Sequence, residues 1–315
     1  AVWSVRGLQI TREVSAEVHE GDEVAVTLEV RTRRMPRFFL EVHDVVPGLT
    51  GYRTPVPVVW PGRPVRLHYQ ATAMRRGLHA GGTTTVASSG LAGWFRAMRI
   101  VDAPSSVMVL PRIWPLRQPR LAGRRESAEP AAARPARVGL DVYGVRDYRD
   151  GDSPRHIHWR STARRGQLVI REYEQDAQEA TVLLLDTRGE PLPLPRGGEG
   201  DGEGVFEDLV RAAASVADAL VRSGRPLRIA GSVNGALAAA GPSRGAVMRW
   251  LAEIGTDGSV APSRVYEALY APGTPVVVLT ADPGSIGYFA ERGIPCTAIV
   301  ARAGDDLRAR LEAGV

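Results

Sequence analysis

The residues best suited to chemistry crowd into one segment, residues 145–174 (VRDYRDGDSPRHIHWRSTARRGQLVIREYE). It holds seven Arg, two His, one Trp and two Tyr among acids at positions 147, 150, 152, 172 and 174. Four kinds of chemistry are open to it. His156 and His158, two apart on an extended chain, would share a face as paired zinc ligands do. No third ligand is evident, however, and Arg155 and Arg160 would oppose a cation. Ser153 or Ser161 could act as a nucleophile with His158 as base and Asp152 orienting it, but there is no G-x-S-x-G elbow and spacing does not establish a triad's geometry. Arg beside Trp and Tyr could neutralise phosphate and stack on bases; the interleaved acids can already pair with those guanidinium groups, which argues against nucleic acid. The fourth option is a bidentate Arg–carboxylate network over a packed Trp159, locking the segment in place. Such a network is compatible with docking a protein, since Trp, Tyr and Arg are enriched in binding hot spots.

A second candidate lies further on. Residues 181–186 (TVLLLD) form a short apolar run ending in an acid, the pattern of a buried parallel strand whose carboxyl end opens onto a site. Asp282 follows a similar run, residues 275–280 (PVVVLT). An Asp followed by hydroxyls two and four residues on would make a metal-ion-dependent adhesion site, because a hard divalent cation needs several close oxygens. Here Arg188 and Glu190 stand in those places. Asp186 and Asp282 are therefore weak metal candidates, and a local ion pair or a partner contact is the favoured reading.

The elements that must position these residues differ between the two halves. Residues 23–31 alternate, with Val24, Val26, Leu28 and Val30 on one side and Glu23, Ala25, Thr27 and Glu29 on the other, the period of a half-buried strand. Further strands are expected at 4–11, 38–46, 65–73, 82–88, 95–101 and 107–111, split by Pro and Gly clusters, which suggests an antiparallel sandwich. His43, His68 and His79 are scattered through it and read as structural or surface residues. Residues 116–137 are rich in Arg, Ala and Pro with no apolar period, an exposed linker or loop. After them, strands expected at 181–186, 227–231, 236–240, 275–280 and 295–300 alternate with helices at 207–223, 244–254, 263–270, 285–292 and 305–312. That alternation implies a doubly wound parallel sheet. The first helix places Leu209, Val210, Ala213, Val216, Ala217 and Leu220 on one stripe.

Composition sets the frame. At 315 residues and 33.9 kDa, with 44% apolar and 24% charged residues, the chain has room for two cores and is not disordered, collagen-like or a coiled coil. Its one cysteine, Cys296, can close no internal disulfide and build no cysteine zinc cage. No apolar run reaches the ~18–20 residues of a membrane span, so the chain as given reads as soluble. All 40 basic residues are Arg. Residues 1–137 carry a net charge of +9 and residues 138–315 one of −4, an asymmetry that favours an acidic partner, a membrane surface or nucleic acid.

Residues 145–174 resemble the signature of the bacterial "domain of unknown function 58" family, roughly R-x-Y-x-x-G-D-x-x-R-x-I-H-W-x-x-[ST]-A-R-x-G-x-L-x-x-[RK]-E-[FY]-E. The matches are Arg146, Tyr148, Gly151, Asp152, Arg155, Ile157, His158, Trp159, Ala163, Arg164, Gly166, Leu168, Arg171, Glu172, Tyr173 and Glu174. The resemblance implies the α/β plus all-β class: a β-sandwich-like domain over residues 1–115, the linker at 116–137, and at 138–315 an α/β domain similar to a von Willebrand factor type A domain, often with an incomplete metal site. It also implies two membrane-spanning helices ahead of the sandwich, which this sequence does not contain. The family's usual Asp-Pro-[FL]-Gly turn is replaced here by the stretch from Ser88 to Trp94.

The functional expectation is a non-enzymatic, protein-binding adaptor without cofactor. Arg146, Tyr148, Asp152, Arg155, His158, Trp159, Arg164, Arg171 and Glu172 are the expected docking residues, forming one recognition surface with the strand ends near Asp186 and Asp282. The resemblance supplies the context: a membrane-associated complex with a MoxR-type AAA+ ATPase and other von Willebrand A proteins, at the cytoplasmic face of the cell membrane. The rival is a metal-dependent or Ser/His hydrolase centred on His158 and Asp152.

Overall fold

The computed structural model describes residues 5–88, 97–116, 142–147, 162, 169–173, 181–188, 204–241, 243–256, 258–271, 273–302 and 304–313. Its contacts divide the chain into two compact units, Ala1–Ala122 with Thr181–Val315, and Gly123–Ala180. Among the described residues no helix is long and apolar enough to cross a membrane.

The first unit begins with a β-sandwich. One sheet joins β1 (Leu8–Val14), β3 (Glu23–Thr32) and β6 (Val65–Thr72), all antiparallel. The facing sheet has the order β2-β8-β7-β4-β5, from β2 (Glu17–His19), β8 (Ala97–Leu110), β7 (Gly77–Ser88), β4 (Arg37–Val45) and β5 (Tyr52–Val59). The alternation read in residues 23–31 holds: Val24, Val26, Leu28 and Val30 are buried and their neighbours face outward. Three elements differ from the sequence pattern. The short β2 was not expected, and it pairs with β8 in parallel, so this sheet is not wholly antiparallel. The strands expected at 95–101 and 107–111 are one 14-residue strand, β8, because its pairing with β7 runs through the intervening residues with a register shift at Gly81/Thr83. Strand β5 was hidden by Pro55 and Pro57; β5 pairs only with β4, so it lies at the sheet edge, where missing N–H donors cost little.

The α/β half follows. Its sheet has the order β13-β12-β11-β14-β15, built from β11 (Thr181–Leu185), β12 (Leu227–Val233), β13 (Ala236–Ala240), β14 (Val276–Thr280) and β15 (Cys296–Val300). Four strands are parallel. β13 is an antiparallel edge strand hairpinned onto β12, so the sheet is mixed where a purely parallel one was expected. Strand β11 is central and buried on both faces. Leu183 and Leu185 pack toward helices α1 (Val205–Arg222), α2 (Arg244–Glu253) and α5 (Leu307–Glu312), while Val182 and Leu184 pack toward α3 (Pro262–Leu269) and α4 (Gly287–Glu291). The chain leaves β11 to one side for β12 and returns on the other for β14. The carboxyl ends of β11 and β14 therefore border the crevice where ligands of such sheets sit.

Helix α1 is not the one-striped surface helix that its apolar spacing suggests. It is buried on all sides from Leu209 to Leu220, because the sandwich covers the face that the sheet does not. Leu110, Trp114 and Leu116 share one core with α1 and the sheet, and small residues such as Ala212, Ala213 and Ala214 let α1 be packed from both directions. Polar groups fix the register of this junction. Glu20, from the turn after β2, receives two hydrogen bonds from the Arg211 guanidinium, 3.0 Å from Nε and 2.7 Å from Nη2, with both side chains more than nine-tenths buried. Arg76, in the β6–β7 turn, donates to the carbonyls of Leu251 (3.0 Å) and Ile254 (2.6 Å), groups that the end of α2 leaves without helical partners. It also pairs with Glu207 in the first turn of α1. Burial draws the Arg76 guanidinium down to about 10, which leaves it charged at neutral pH.

Of the second unit, the described backbone is a hairpin of β9 (Val142–Asp147) and β10 (Val169–Tyr173), antiparallel, with Arg171 opposite Val145 and Glu172 opposite Gly144.

The Glu20–Arg211 pair gives a stability prediction. Removing one member of a buried pair strands the other charge at a typical cost of about 3–5 kcal/mol, whereas an exposed pair is worth about 1 kcal/mol or less. Arg211→Ala should therefore lower the unfolding free energy in urea several-fold more than Arg249→Ala, which breaks the exposed 3.2 Å pair with Glu17. Equal losses would contradict this account of the junction.

Candidate functional site

The carboxyl ends of β11 and β14 bring together side chains far apart in sequence. Asp186 directly follows β11 and is almost wholly buried, its backbone N–H bonded to Leu279 O at 2.8 Å. A carboxylate so placed needs compensating donors. Arg188, two residues on, supplies most of them. Its Nε lies 2.9 Å from Oδ1 and its Nη2 2.8 Å from Oδ2, and its backbone N–H reaches Oδ1 at 3.2 Å. Thr280, the last residue of β14, donates its hydroxyl to Oδ2 at 2.6 Å. This side-on, two-point contact needs a planar guanidinium; a lysine ammonium could not reproduce it.

The same Nη2 continues across the crevice to Ser285 Oγ at 2.6 Å and lies 3.6 Å from Asp282 Oδ2. Asp282 stands just ahead of the 3₁₀ turn Pro283–Ile286. It accepts from the Gly284 N–H at 2.9 Å and the Ser285 hydroxyl at 3.1 Å, while its own N–H donates to Thr280 Oγ1 at 2.9 Å. Thr187 points the other way, donating to Ser232 O at 2.7 Å and lying 3.0 Å from Ser232 Oγ at the end of β12. Its carbonyl accepts from Gly258 N–H at 3.2 Å. A Cβ on Gly258 would sit 1.8 Å from Thr187 Oγ1, so only glycine allows that loop to lie so close. Residues 186–188 are thus held from both neighbouring strands.

Arg188 places its positive charge between the two acids. Its hydrogen bonds to Asp186 raise its already high pKa further, against the opposing effect of burial. Asp282 is held below the usual carboxylate range, first by the Gly284 N–H, then by Ser285, with Arg188 adding to the effect. Among the described residues no group of three or more His, Cys, Asp or Glu converges as a metal site. Asp186 and Asp282, the weak metal candidates, are bridged by Arg188. Thr280 and Ser285 were not singled out by sequence reasoning; their turn context, Asp282-Pro283-Gly284-Ser285, was the available signal.

The signature residues are placed differently. Arg146 lies in β9 and Arg171 and Glu172 in β10. Tyr148, Asp152, Arg155, His158, Trp159 and Arg164 lie outside the described residues, as does Glu190. Of the remaining histidines, His43, His68 and His79 stand on separate strands of the sandwich: His43 on β4, His68 on β6 beside Thr27 Oγ1 at 3.1 Å, and His79 on β7 beside Arg75 O at 2.7 Å.

The family model described as "Protein of unknown function DUF58" matches residues 144–192, and the "Uncharacterized protein YeaD" of Bacillus subtilis (strain 168) is 21% identical over 237 residues, 71% of this chain. Over residues 144–192 the chain is similar to the DUF58 family. It spans 56% of the length of that curated relative. The stretch matched by the DUF58 model runs from the β9–β10 hairpin through β11 and past Arg188, so it contains the signature segment and Asp186, while Asp282 lies beyond it. Solution and crystal structures of the CARDB domain of PF1109 from Pyrococcus furiosus, the latter with di-metal ions, are each similar over 33% of this chain and 94% of their own, at 15% identity and a TM-score of 0.26.

The electrostatics of Asp282 can be read by titration. A carboxyl whose folded pKa is depressed adds stability that is complete above its unfolded value, about 3.9, and is lost as pH falls through the folded value. Carboxyl carbon NMR should show Asp282 titrating below that value, and Ser285→Ala should move the midpoint upward. A wild-type midpoint at or above 3.9, taken as the approximate unperturbed value, would show that these donors do not act on it.

Proposed function

We propose that this chain is a DUF58-like, non-enzymatic, protein-binding adaptor whose α/β half is a von Willebrand A-like sheet with its cation position filled by Arg188. The observation that carries the reading is the arrangement of that guanidinium. Nε and Nη2 are committed to Asp186 and Ser285, while among the described residues Nη1 has no hydrogen-bond partner, and about a third of the side chain is exposed. A rigid, already oriented donor at the mouth of the crevice loses little freedom on meeting an acceptor from another molecule. A carboxylate or carbonyl of a partner protein fits it.

The partner class proposed on the family resemblance is a MoxR-type AAA+ ATPase and other von Willebrand A proteins, in a membrane-associated complex at the cytoplasmic face. The signature residues Arg146, Tyr148, Asp152, Arg155, His158, Trp159, Arg164, Arg171 and Glu172 form, in this reading, a docking element of the second unit. The adaptor needs no cofactor and no nucleic acid.

The test is the affinity of the purified chain for a MoxR-type ATPase from the same genome, measured by biolayer interferometry. Arg188→Glu should weaken binding roughly tenfold or more, equivalent to about 1.4 kcal/mol, with Arg188→Lys in between. A His158→Ala, Arg164→Ala double variant reports separately on the signature segment. Unchanged affinity in Arg188→Glu with a wild-type thermal melt, or no binding by the wild type, defeats the reading.

A further inference from the structure

The strand directions of the sandwich gather several connections at one end. β3, β5 and β7 run toward that end, and β1, β4, β6 and β8 run away from it, as their antiparallel pairings require. The residues entering β1, the β3–β4 turn and the β5–β6 turn therefore lie together. The opposite end carries Glu20 and Arg76 and is covered by α1 and α2. The first end has no such cover among the described residues.

What it exposes is unusual for a soluble surface. Met35, Phe39, Trp60 and Met98 each leave half or more of their side chain in water, and Phe38 is only slightly less open. Single exposed apolar residues need no explanation; a group of them at one end of a domain does. Phe38 and Trp60 lie edge to face with ring centroids 6.0 Å apart, so two of these rings support each other in place. Phe39 has a φ of +51°, a left-handed backbone conformation that a bulky side chain adopts only at a cost. That strain holds a phenyl ring outward, and strain of this kind concentrates at functional sites.

The charge around these rings is of one sign. Arg6, Arg33, Arg34, Arg37, Arg63 and Arg99 belong to this end, and residues 5–8, 32–40, 58–65 and 97–100 contain no Asp or Glu. The nearby Glu29 is already paired with Arg31 and Arg66. Aromatic and thioether side chains at strand ends and in a turn, ringed by guanidinium groups, match the layered chemistry of a bilayer surface: the indole and phenyl groups at headgroup depth, the arginines on lipid phosphates. A second copy of the chain fits poorly, since it would bring six arginines against six.

We infer that this end of the sandwich is a peripheral membrane-binding surface that takes anionic phospholipid headgroups, with Phe39, Trp60 and Met98 entering the interface and Arg33, Arg34 and Arg63 contacting phosphate. The inference is independent of the adaptor reading, because Arg188 and the strand-end crevice play no part in it.

Vesicle co-sedimentation of the full chain tests it, using phosphatidylcholine vesicles with and without phosphatidylglycerol. The wild type should bind the anionic vesicles at least tenfold more tightly than the neutral ones, with binding falling as salt is raised. A Phe39→Ser, Met98→Ser variant and an Arg33→Glu, Arg34→Glu variant should each lose about tenfold or more. The second variant changes only exposed turn residues, so it decides the question even if the first fails to fold. No binding to anionic vesicles, or binding that the Arg33→Glu, Arg34→Glu variant leaves intact, overturns the inference. So does a concentration-dependent dimer that this variant abolishes in the absence of vesicle binding. Retained ATPase affinity in these variants keeps the outcome separate from that of the Arg188 experiment.

Discussion

A carboxylate buried at the end of a parallel strand must be neutralised, and in this protein the counter-charge is part of the same chain. Asp186 follows the central strand of the α/β sheet and is held by Arg188 on both oxygens and by Thr280 on one. Everything at the crevice follows from that choice. A divalent cation would draw on the oxygens of Asp186, Asp282 and neighbouring hydroxyls; the guanidinium touches or approaches the same atoms from Asp186, Ser285 and Asp282. A bound ion presents an open coordination position to a partner's carboxylate. A bound arginine presents an N–H.

The crevice is set by a core that the two halves of the chain share. Helix α1 lies between the sheet and the sandwich, and the Glu20–Arg211 and Arg76–Glu207 contacts fix where the sandwich meets it. A second buried network lies inside the sandwich, where Asp44 is paired with Arg12 and accepts from Tyr69 at 2.6 Å and Thr84 at 2.5 Å. Burial, and then the bond to Asp44, drive the Tyr69 hydroxyl well above its usual range. Fully satisfied networks of this kind specify one arrangement more than they stabilise it. Both use arginine, in a chain without lysine, and both depend on its ability to meet several acceptors in one plane.

Much of this was legible in the sequence. The alternation of β3, the buried run of β11 and the stop of α1 at Gly224 all follow from local pattern. The full burial of α1 did not, because a periodic stripe reports one packed face and the sandwich supplied the second. Arg12 and Asp44 fall on the same parity as Ile10 and Val42, so the strand period itself implies inward-facing charges of opposite sign. At the crevice, Arg188 was visible as the residue that breaks the adhesion-site pattern. Thr280 and Ser285 were not, because they reach Asp186 and Arg188 across 94 and 97 residues through the pairing of β11 with β14. The signature segment was the loudest feature of the sequence. Among its docking candidates the described structure carries only backbone register, for Arg146, Arg171 and Glu172.

The central proposal is that Arg188 takes the place a cation would have at the strand ends, and binding of Mn²⁺ followed by isothermal calorimetry and paramagnetic NMR broadening tests it most directly. The account predicts no saturable binding at this site by the wild type at concentrations up to the order of 1 mM, the weak limit of protein calcium sites, and a gain of binding with broadening of Asp186 and Asp282 in Arg188→Ser. Saturable, micromolar Mn²⁺ binding by the wild type that broadens the same two residues would contradict it.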